Sequence, residues 1–250
     1  MSLELARPRL QFVRHTFLAI LAASTVSAHA TAQVPDSTKK PTPADTARVK
    51  RGDRRARQHI LANAAVIRWY DVAAVVGGVA ALSVLDEPVQ RYTQRHRSNT
   101  LKHVANAFRE EGEPIYYAGV SLGILGVGIV TGNADVQRAG GRLVASVATS
   151  ALVMTGLKMA IGRSRPNENV GAFKFHPFTS LSDSSGVQTR GAMPSGHTTA
   201  AFAVATSIAD DLHSDAARVL LYTLATGTAF SRVYDNRHWV SDVAMGAVLG

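Results

Sequence analysis

The 250-residue chain contains no cysteine. This absence excludes disulfide bonds, thiolate zinc sites, iron–sulfur clusters and cysteine nucleophiles, so any covalent catalysis must use another residue type. Charged residues are also scarce, at 18% of the chain, whereas apolar residues reach 46%. That balance excludes intrinsic disorder of the whole chain. Long hydrophobic runs are few as well: beyond residue 60, only residues 114–134 form an uncharged apolar stretch of the roughly 20 residues that a helix needs to cross a bilayer.

The formal net charge of +9 is concentrated in one segment. Residues 39–68 include nine basic and two acidic residues, whereas residues 69–250 carry 15 basic and 14 acidic ones. The basic segment lacks the interleaved aromatic residues on which single-stranded nucleic acids stack. We therefore predict a solvated linker without a nucleic-acid partner, and note that anionic lipid would also suit its charge.

Residues 1–30 have the pattern of a signal peptide. Basic residues precede a short apolar core, and Ala28 and Ala30 supply the small side chains that a signal peptidase needs. The alternative is a membrane anchor, but the core at residues 17–26 is too short to span a bilayer easily. Residues 31–60 are rich in Pro, Thr, Lys and Arg without apolar periodicity, which predicts a flexible basic linker.

Residues 61–250 are predicted to form one all-α domain. Uncharged stretches rich in Ala, Val, Gly and Leu alternate with polar connections, and none shows the alternation of a β-strand. A bundle of about six core helices is expected from residues 72–85, 114–134, 143–157, 191–209, 219–231 and a stretch that begins near Trp239. The last stretch reaches Gly250 without a polar end, so we expect the final helix to be truncated.

The sequence leaves open whether this bundle is embedded in a membrane. Apart from residues 114–134, its apolar stretches fit a packed, alanine-rich core equally well. A cleaved signal would leave the linker outside the cytoplasm, whereas its basic residues favour the cytoplasmic side.

The first of three motifs that suggest chemistry contains Lys158, Arg165 and Pro166. Seven residues make nearly two helical turns, so Lys158 and Arg165 would project from one face of a helix that ends near Pro166. Two fixed cations near one point favour an oxyanion site. Basic residues that offset a helix dipole would give the same pattern.

The second motif is Pro194-Ser195-Gly196-His197, just before a helical pattern. Ser195 suits the N-cap position, Gly196 lets a backbone N–H approach a ligand, and free amides at a helix N-terminus bind anions. Capping explains Ser195 and Gly196 but not the adjacent histidine. The motif therefore favours an anion site with His197 at its mouth.

The third motif contains Ser231, Arg232, His238 and Asp242. A spacing of four on a helix would place the Asp242 carboxylate against the His238 imidazole. Such a carboxylate fixes the ring tautomer and favours its charged form, as in an activated nucleophile or base. A surface ion pair is the alternative for this pair alone, but three such motifs in one chain make chance improbable.

Together, the motifs resemble the signature of the type 2 phosphatidic acid phosphatase and vanadium haloperoxidase superfamily. That signature is a lysine with Arg-Pro seven residues on, then Pro-Ser-Gly-His, then Ser-Arg with a histidine six after the arginine and an aspartate four beyond. The chain matches it without a departure at Lys158, Arg165, Pro166, Pro194, Ser195, Gly196, His197, Ser231, Arg232, His238 and Asp242. The resemblance runs from about residue 66 to the end and implies an acid phosphatase/haloperoxidase-like helical fold.

The resemblance also implies a metal-independent phosphatase that needs no cofactor and forms a phosphohistidine. His238 would be the nucleophile, Asp242 would orient it, and His197 would be the general acid and base. The groups that would hold the non-bridging oxygens are Lys158, Arg165, Ser195, Gly196 and Arg232.

Three functions fit these expectations. The apolar helices favour a phosphatase of lipid monoesters or diphosphates that is membrane-associated and faces the periplasm of a bacterial-type envelope. The export signal and short helices would also suit a soluble periplasmic acid phosphatase of broad specificity. A vanadate-dependent haloperoxidase is disfavoured because that family has larger chains and nothing in this sequence indicates a peroxide or halide site.

Overall fold

The structure is a computed structural model of the chain, and it describes residues 67–178 and 191–250. Residues 69–250 form one compact unit. The predicted signal peptide, residues 1–30, and the predicted linker, residues 31–60, lie outside the described residues. Both therefore stay predictions, as does the domain boundary at residue 61.

The described residues are helical, as predicted, and include no β-strand, although Arg163 and Phe175 form one isolated bridge. The helices are α1 (Trp69–Leu82), α2 (Asp86–Arg95), α3 (Asn99–Glu111), α4 (Pro114–Thr131), α5 (Ala134–Ile161), α6 (Gly196–Leu212), α7 (Asp215–Tyr234) and α8 (Val240–Leu249). A 3₁₀ turn at Ser83–Leu85 joins α1 to α2, and a second, at Pro166–Glu168, follows α5. Two helices, α2 and α3, were not predicted, because their sequences are polar.

Helix α5 extends beyond the predicted residues 143–157 at both ends, and local capping explains its bounds. At its start, the Asn133 side chain accepts hydrogen bonds from the Asp135 and Val136 backbone N–H groups. At its end, Gly162 adopts a left-handed conformation with φ +58°. A Cβ at Gly162 would lie 1.9 Å from the His176 carbonyl oxygen, so only glycine fits this turn.

Helices α4 and α5 form a hairpin whose backbones approach closely at two glycines. A Cβ added at Gly128 would lie 2.4 Å from the Gln137 backbone nitrogen, and one at Gly140 would lie 2.4 Å from the Leu125 backbone nitrogen. Small residues allow this kind of close helix packing. It is common in membranes, where the hydrophobic effect does not drive helices together.

Three segments are long and apolar enough to cross a membrane: Trp69–Arg95, Pro114–Thr131 and Ala134–Ile161. At most 11% of each apolar window is buried inside the protein. Large side chains such as Val130 and Leu152 are 87% and 75% exposed. Apolar surface of this extent faces lipid rather than water, so these segments indicate membrane association. The sequence alone had identified one of the three.

Helix α6 occupies the interior and packs against α5, α7 and α8. Eight of its 17 residues are buried, and most of those are alanine, so neighbouring helices can approach it closely. Helix α8 does so at Gly246, where a Cβ would lie 2.8 Å from the Ser195 carbonyl oxygen. This packing brings the start of α6, the end of α7 and the start of α8 together.

Candidate functional site

The three motifs meet at a cavity of about 550 Å³. It is lined by Arg109, Glu113, Lys158, Arg165, Gly196, His197, Arg232, Asp235, Arg237 and His238. Six of the eight predicted site residues therefore share one cavity, and the two that do not line it are Ser195 and Asp242.

Lys158 and Arg165 reach the cavity by different routes. Lys158 lies in the last turn of α5, and its Nζ donates a hydrogen bond to the Gly191 carbonyl. Arg165 follows the Gly162 turn and has an extended backbone, with φ −82° and ψ 154°. The prediction that one helix presents both cations was wrong, because the glycine ends that helix before Pro166 does.

The N-terminus of α6 carries the second motif. Ser195 occupies the N-cap position as predicted, but it is fully buried, and its hydroxyl accepts a hydrogen bond from Thr198 Oγ1 at 3.0 Å. Gly196 is the first helical residue and does line the cavity. Gly196 and His197 therefore face the cavity, while the phosphate contacts of Gly196 and of the Ser195 hydroxyl stay predictions.

His238 precedes α8 rather than lying within it, so the predicted helical spacing with Asp242 was wrong. Its Nδ1 lies 2.7 Å from the Ala192 carbonyl oxygen and 3.7 Å from Asp242 Oδ2. Because a carbonyl accepts but never donates, this contact fixes the tautomer with the proton on Nδ1 and leaves Nε2 with a free lone pair.

The Asp242 carboxylate is held mainly by other groups. Its Oδ2 accepts a hydrogen bond from the Trp239 backbone N–H at 2.8 Å, and its Oδ1 accepts one from Arg163 Nη1 at 2.8 Å. Burial raises the pKa of Asp242 to about 6, while Arg163 and the Trp239 amide oppose this rise. Asp242 thus acts on His238 across 3.7 Å through its charge rather than through a hydrogen bond.

Three buried nitrogen atoms at the cavity have no hydrogen-bond partner among the described residues: Arg165 Nε, His197 Nε2 and Arg232 Nε. His197 Nε2 lies 3.4 Å from Glu113 Oε1, without the geometry of a hydrogen bond. An unsatisfied buried polar group costs about 1–3 kcal/mol, so a ligand with several acceptor oxygens would relieve this cost.

The cations around the cavity also lower the pKa values of the two histidines. Burial, followed by the charges of Lys158 and Arg165, holds the pKa of His238 well below its usual 6.5. Burial and Arg232 lower the pKa of His197, whereas Glu113 opposes that shift. His238 is therefore neutral near pH 7, which is the form that a nucleophile requires.

Sequence reasoning missed several residues at the site. The cavity is also lined by Arg109, Glu113, Asp235 and Arg237, which are not among the signature residues of the three motifs. Arg109 lies on the unpredicted α3. Arg163 lies inside the first motif and could have been noticed as a third cation between Lys158 and Pro166. Among the described residues, no group of three or more His, Cys, Asp or Glu side chains is arranged to hold a metal ion.

A family model for the PAP2 superfamily matches residues 139–250. This stretch contains all eight predicted site residues. Over these residues the chain is similar to the PAP2 superfamily. A lipid A 1-phosphatase from Porphyromonas gingivalis is 48% identical over 59 residues, which are 23% of this chain and 13% of that protein. The chain thus matches only a small part of that relative's length.

The fold resembles that of a solved PAP2 protein. A transmembrane PAP2 type phosphatidylglycerolphosphate phosphatase from Bacillus subtilis superimposes with a TM-score of 0.52 at 19% identity, over 71% of this chain and 89% of that one. LpxE from Aquifex aeolicus has a TM-score of 0.46 at 18% identity, over 66% of this chain and 89% of that one. At 19% identity, the likeness to the Bacillus subtilis protein concerns the fold alone.

Proposed function

We propose that the protein is a metal-independent phosphatase that hydrolyses the phosphate ester or diphosphate of a lipid through a phosphohistidine. The observation that carries this proposal is a set of buried nitrogens on Arg165, His197 and Arg232 that have no hydrogen-bond partner within residues 67–178 and 191–250. They lie beside Lys158 and His238. A transferring phosphoryl group spreads its charge over three equatorial oxygens, and the cavity offers cations and unpaired N–H groups to those oxygens.

His238 is the proposed nucleophile. Because its Nδ1–H donates to the Ala192 carbonyl, the lone pair on Nε2 is the one available for attack. The N–P bond forms as the bond from phosphorus to the leaving oxygen breaks, and the ring acquires positive charge. Asp242, whose Oδ2 lies 3.7 Å from Nδ1, offsets that charge.

His197 is the proposed general acid and base. In the first step it gives a proton to the leaving oxygen of the lipid alcohol or of the terminal lipid phosphate. In the second step water attacks phosphorus, the N–P bond breaks, and His197 accepts the proton of that water. Inorganic phosphate leaves, and both histidines return to their starting states.

A lipid substrate is favoured by the outer surface of the protein. The segments Pro114–Thr131 and Ala134–Ile161 expose apolar side chains, and α5 ends at the cavity with Lys158 in its last turn. A substrate held in the bilayer would meet the cavity at the end of that helix. The name of the Porphyromonas gingivalis relative, a lipid A 1-phosphatase, fits this substrate class. With the predicted signal peptide, we place the site on the periplasmic side of a cell envelope.

The nucleophile is tested with His238→Ala in the detergent-purified full chain. We expect a loss of at least about a thousandfold in phosphate release and no acid-labile phosphoenzyme after rapid quenching with ³²P-labelled substrate. His103→Ala is the matched control, since His103 is an exposed histidine on α3, and it should retain wild-type turnover. An active His238→Ala protein would overturn the assignment.

The substrate class is tested with a panel of phosphatidate, an isoprenoid diphosphate, a lipid A phosphate and p-nitrophenyl phosphate. We expect kcat/KM to be higher for the lipids and vanadate to inhibit. Preference for p-nitrophenyl phosphate, together with release of the protein from cells without detergent, would instead indicate a soluble acid phosphatase. Halide oxidation with vanadate and peroxide would indicate a haloperoxidase.

A further inference from the structure

A buried cluster of charged groups lies behind His238, away from the cavity. It consists of Asp86, Arg163, Ser241 and Asp242, whose exposed fractions are 1% or less. Arg163 Nη2 donates to Asp86 Oδ2 at 2.7 Å, and its Nη1 donates to Asp242 Oδ1 at 2.8 Å and to Ser241 Oγ at 2.6 Å. One guanidinium thus contacts two carboxylates.

Asp86 links α2 to the first turn of α8. Besides Arg163, its carboxylate accepts hydrogen bonds from the Ser241 backbone N–H at 2.9 Å and from the Ser241 hydroxyl at 2.6 Å. Ser241 precedes Asp242 in the chain, so Asp86 fixes the turn that carries Asp242. Asp86 lies outside residues 139–250, the part of the chain that matches the PAP2 superfamily.

The charges of this cluster do not cancel. Arg163 is paired with Asp242, and its positive charge weakens the field of that carboxylate at His238. The second carboxylate leaves the cluster with a net charge of one negative unit, and screening is weak because the groups are buried. Three cations, Lys158, Arg165 and Arg232, act on His238 in the opposite sense.

We propose that Asp86 is a positioning residue for this site, because it holds Arg163 and the Asp242 turn and offsets the Arg163 charge, so that a net negative charge supports His238 when the ring becomes cationic. The catalytic part of this inference rests on the proposed function. The electrostatic part concerns His238 in any function.

Other charged groups also face His238, and they are the same in every variant of the test described below. Lys158 reaches it from α5, Arg165 from the segment after α5, Arg232 from the end of α7 and Asp242 from α8. The same cavity holds Arg109, Glu113, His197, Asp235 and Arg237. The test therefore alters only the buried cluster and compares variants in one background.

The test uses three variants of the full chain: Asp86→Asn, Arg163→Gln and the double variant. The net charge of the cluster becomes zero in the first, two negative units in the second and one negative unit in the third, as in the wild type. His238 reactivity toward diethyl pyrocarbonate, which modifies neutral imidazole, is followed against pH by peptide mass spectrometry. The acid limb of kcat/KM, which reports titrating groups of the free enzyme, is measured alongside.

We expect the midpoint to move to lower pH in Asp86→Asn, to higher pH in Arg163→Gln and back toward the wild-type value in the double variant. In Asp86→Asn we also expect kcat to fall about tenfold or more with KM little changed. Glu87→Gln is the matched control, since Glu87 is the next residue on α2 and its side chain is 42% exposed. This control should leave the midpoint in place.

A purely structural role for Asp86 would lower the amount of folded protein without moving the midpoint, and an unmoved midpoint overturns the proposal. Shifts of the two single variants in the same direction overturn it as well. If Asp86→Asn does not fold, the double variant must have a lower midpoint than Arg163→Gln. If the labelling midpoint moves as expected but His238→Ala retains phosphatase activity, the electrostatic inference stands and the proposed phosphohistidine mechanism fails.

Discussion

The α4–α5 hairpin and the α6–α8 region differ in the kinds of group that they bury. The hairpin packs backbone against backbone at Gly128 and Gly140, and its large apolar side chains face outward. The α6–α8 region buries small residues together with polar and charged ones, including Arg232, His238 and Asp242. The hairpin is therefore specified by shape and by an apolar environment, whereas the site region is specified by hydrogen bonds and charge.

This difference implies that damage to the two regions has different consequences. A change in the site region can remove chemistry while the helices stay packed, because each charged group contacts a few defined partners. A change at a hairpin glycine alters the distance between two helices without touching a reacting group. Substitutions in the hairpin should therefore change mainly stability, and substitutions in the site region should change mainly activity.

The largest expected effect comes from removing a cation at the cavity. Arg232→Ala deletes a buried guanidinium whose Nε has no partner among the described residues, and we expect kcat/KM to fall about a hundredfold to a thousandfold. The thermal unfolding temperature should change much less than the activity. Steady-state phosphate release and thermal unfolding in detergent measure the two effects.

Arg218→Ala is the control for that variant, since Arg218 lies on the same helix but pairs with Asp215 at the surface. It should keep wild-type kcat/KM. Comparable losses of kcat/KM in the two variants would mean that Arg232 does not bind the phosphate group.

The second effect concerns the hairpin. Gly140→Ala places a Cβ 2.4 Å from the Leu125 backbone nitrogen, so we expect destabilisation of about 1–3 kcal/mol from overpacking. Turnover per folded molecule should be retained at low temperature. Thermal unfolding in detergent measures the stability, and phosphate release measures the turnover.

Gly141→Ala is the matched control, because nothing lies within 4 Å of the added Cβ. There the better helix propensity of alanine should be neutral or stabilise by up to about 1 kcal/mol. Equal destabilisation by both changes would contradict close packing at Gly140.

The smallest effect sharpens the role of His197. Glu113 raises the pKa of His197, so Glu113→Gln should lower that pKa. Because the general acid must be protonated, the basic limb of kcat should move to lower pH, with a modest loss of rate at neutral pH. A pH series of kcat measures it. Asp215→Asn, at a side chain that is 97% exposed, should leave the limb unchanged, and a shift of the Glu113→Gln limb to higher pH would contradict the assignment.

The sequence predicted the helical class, the membership of six cavity residues and the order of the three motifs, because these depend on composition and on fixed local spacing. It did not predict α2 and α3, because these helices are amphipathic and polar on average rather than continuous apolar stretches. The first motif was expected to stay helical as far as Pro166, although the left-handed Gly162 ends the helix earlier. Contacts between distant residues, such as Asp86 with Arg163, have no local pattern at all.

The backbone carbonyls of two adjacent residues hold a cation of the cavity and the proposed nucleophile. Gly191 accepts the hydrogen bond of Lys158, and Ala192 accepts that of His238. The same short stretch is tied to Arg163 by the Ala192 N–H, which donates to the Arg163 carbonyl at 3.0 Å. A displacement of these two residues would therefore misalign the proposed phosphate-binding cation and the proposed nucleophile together, so affinity and reactivity would fall in one movement rather than in turn.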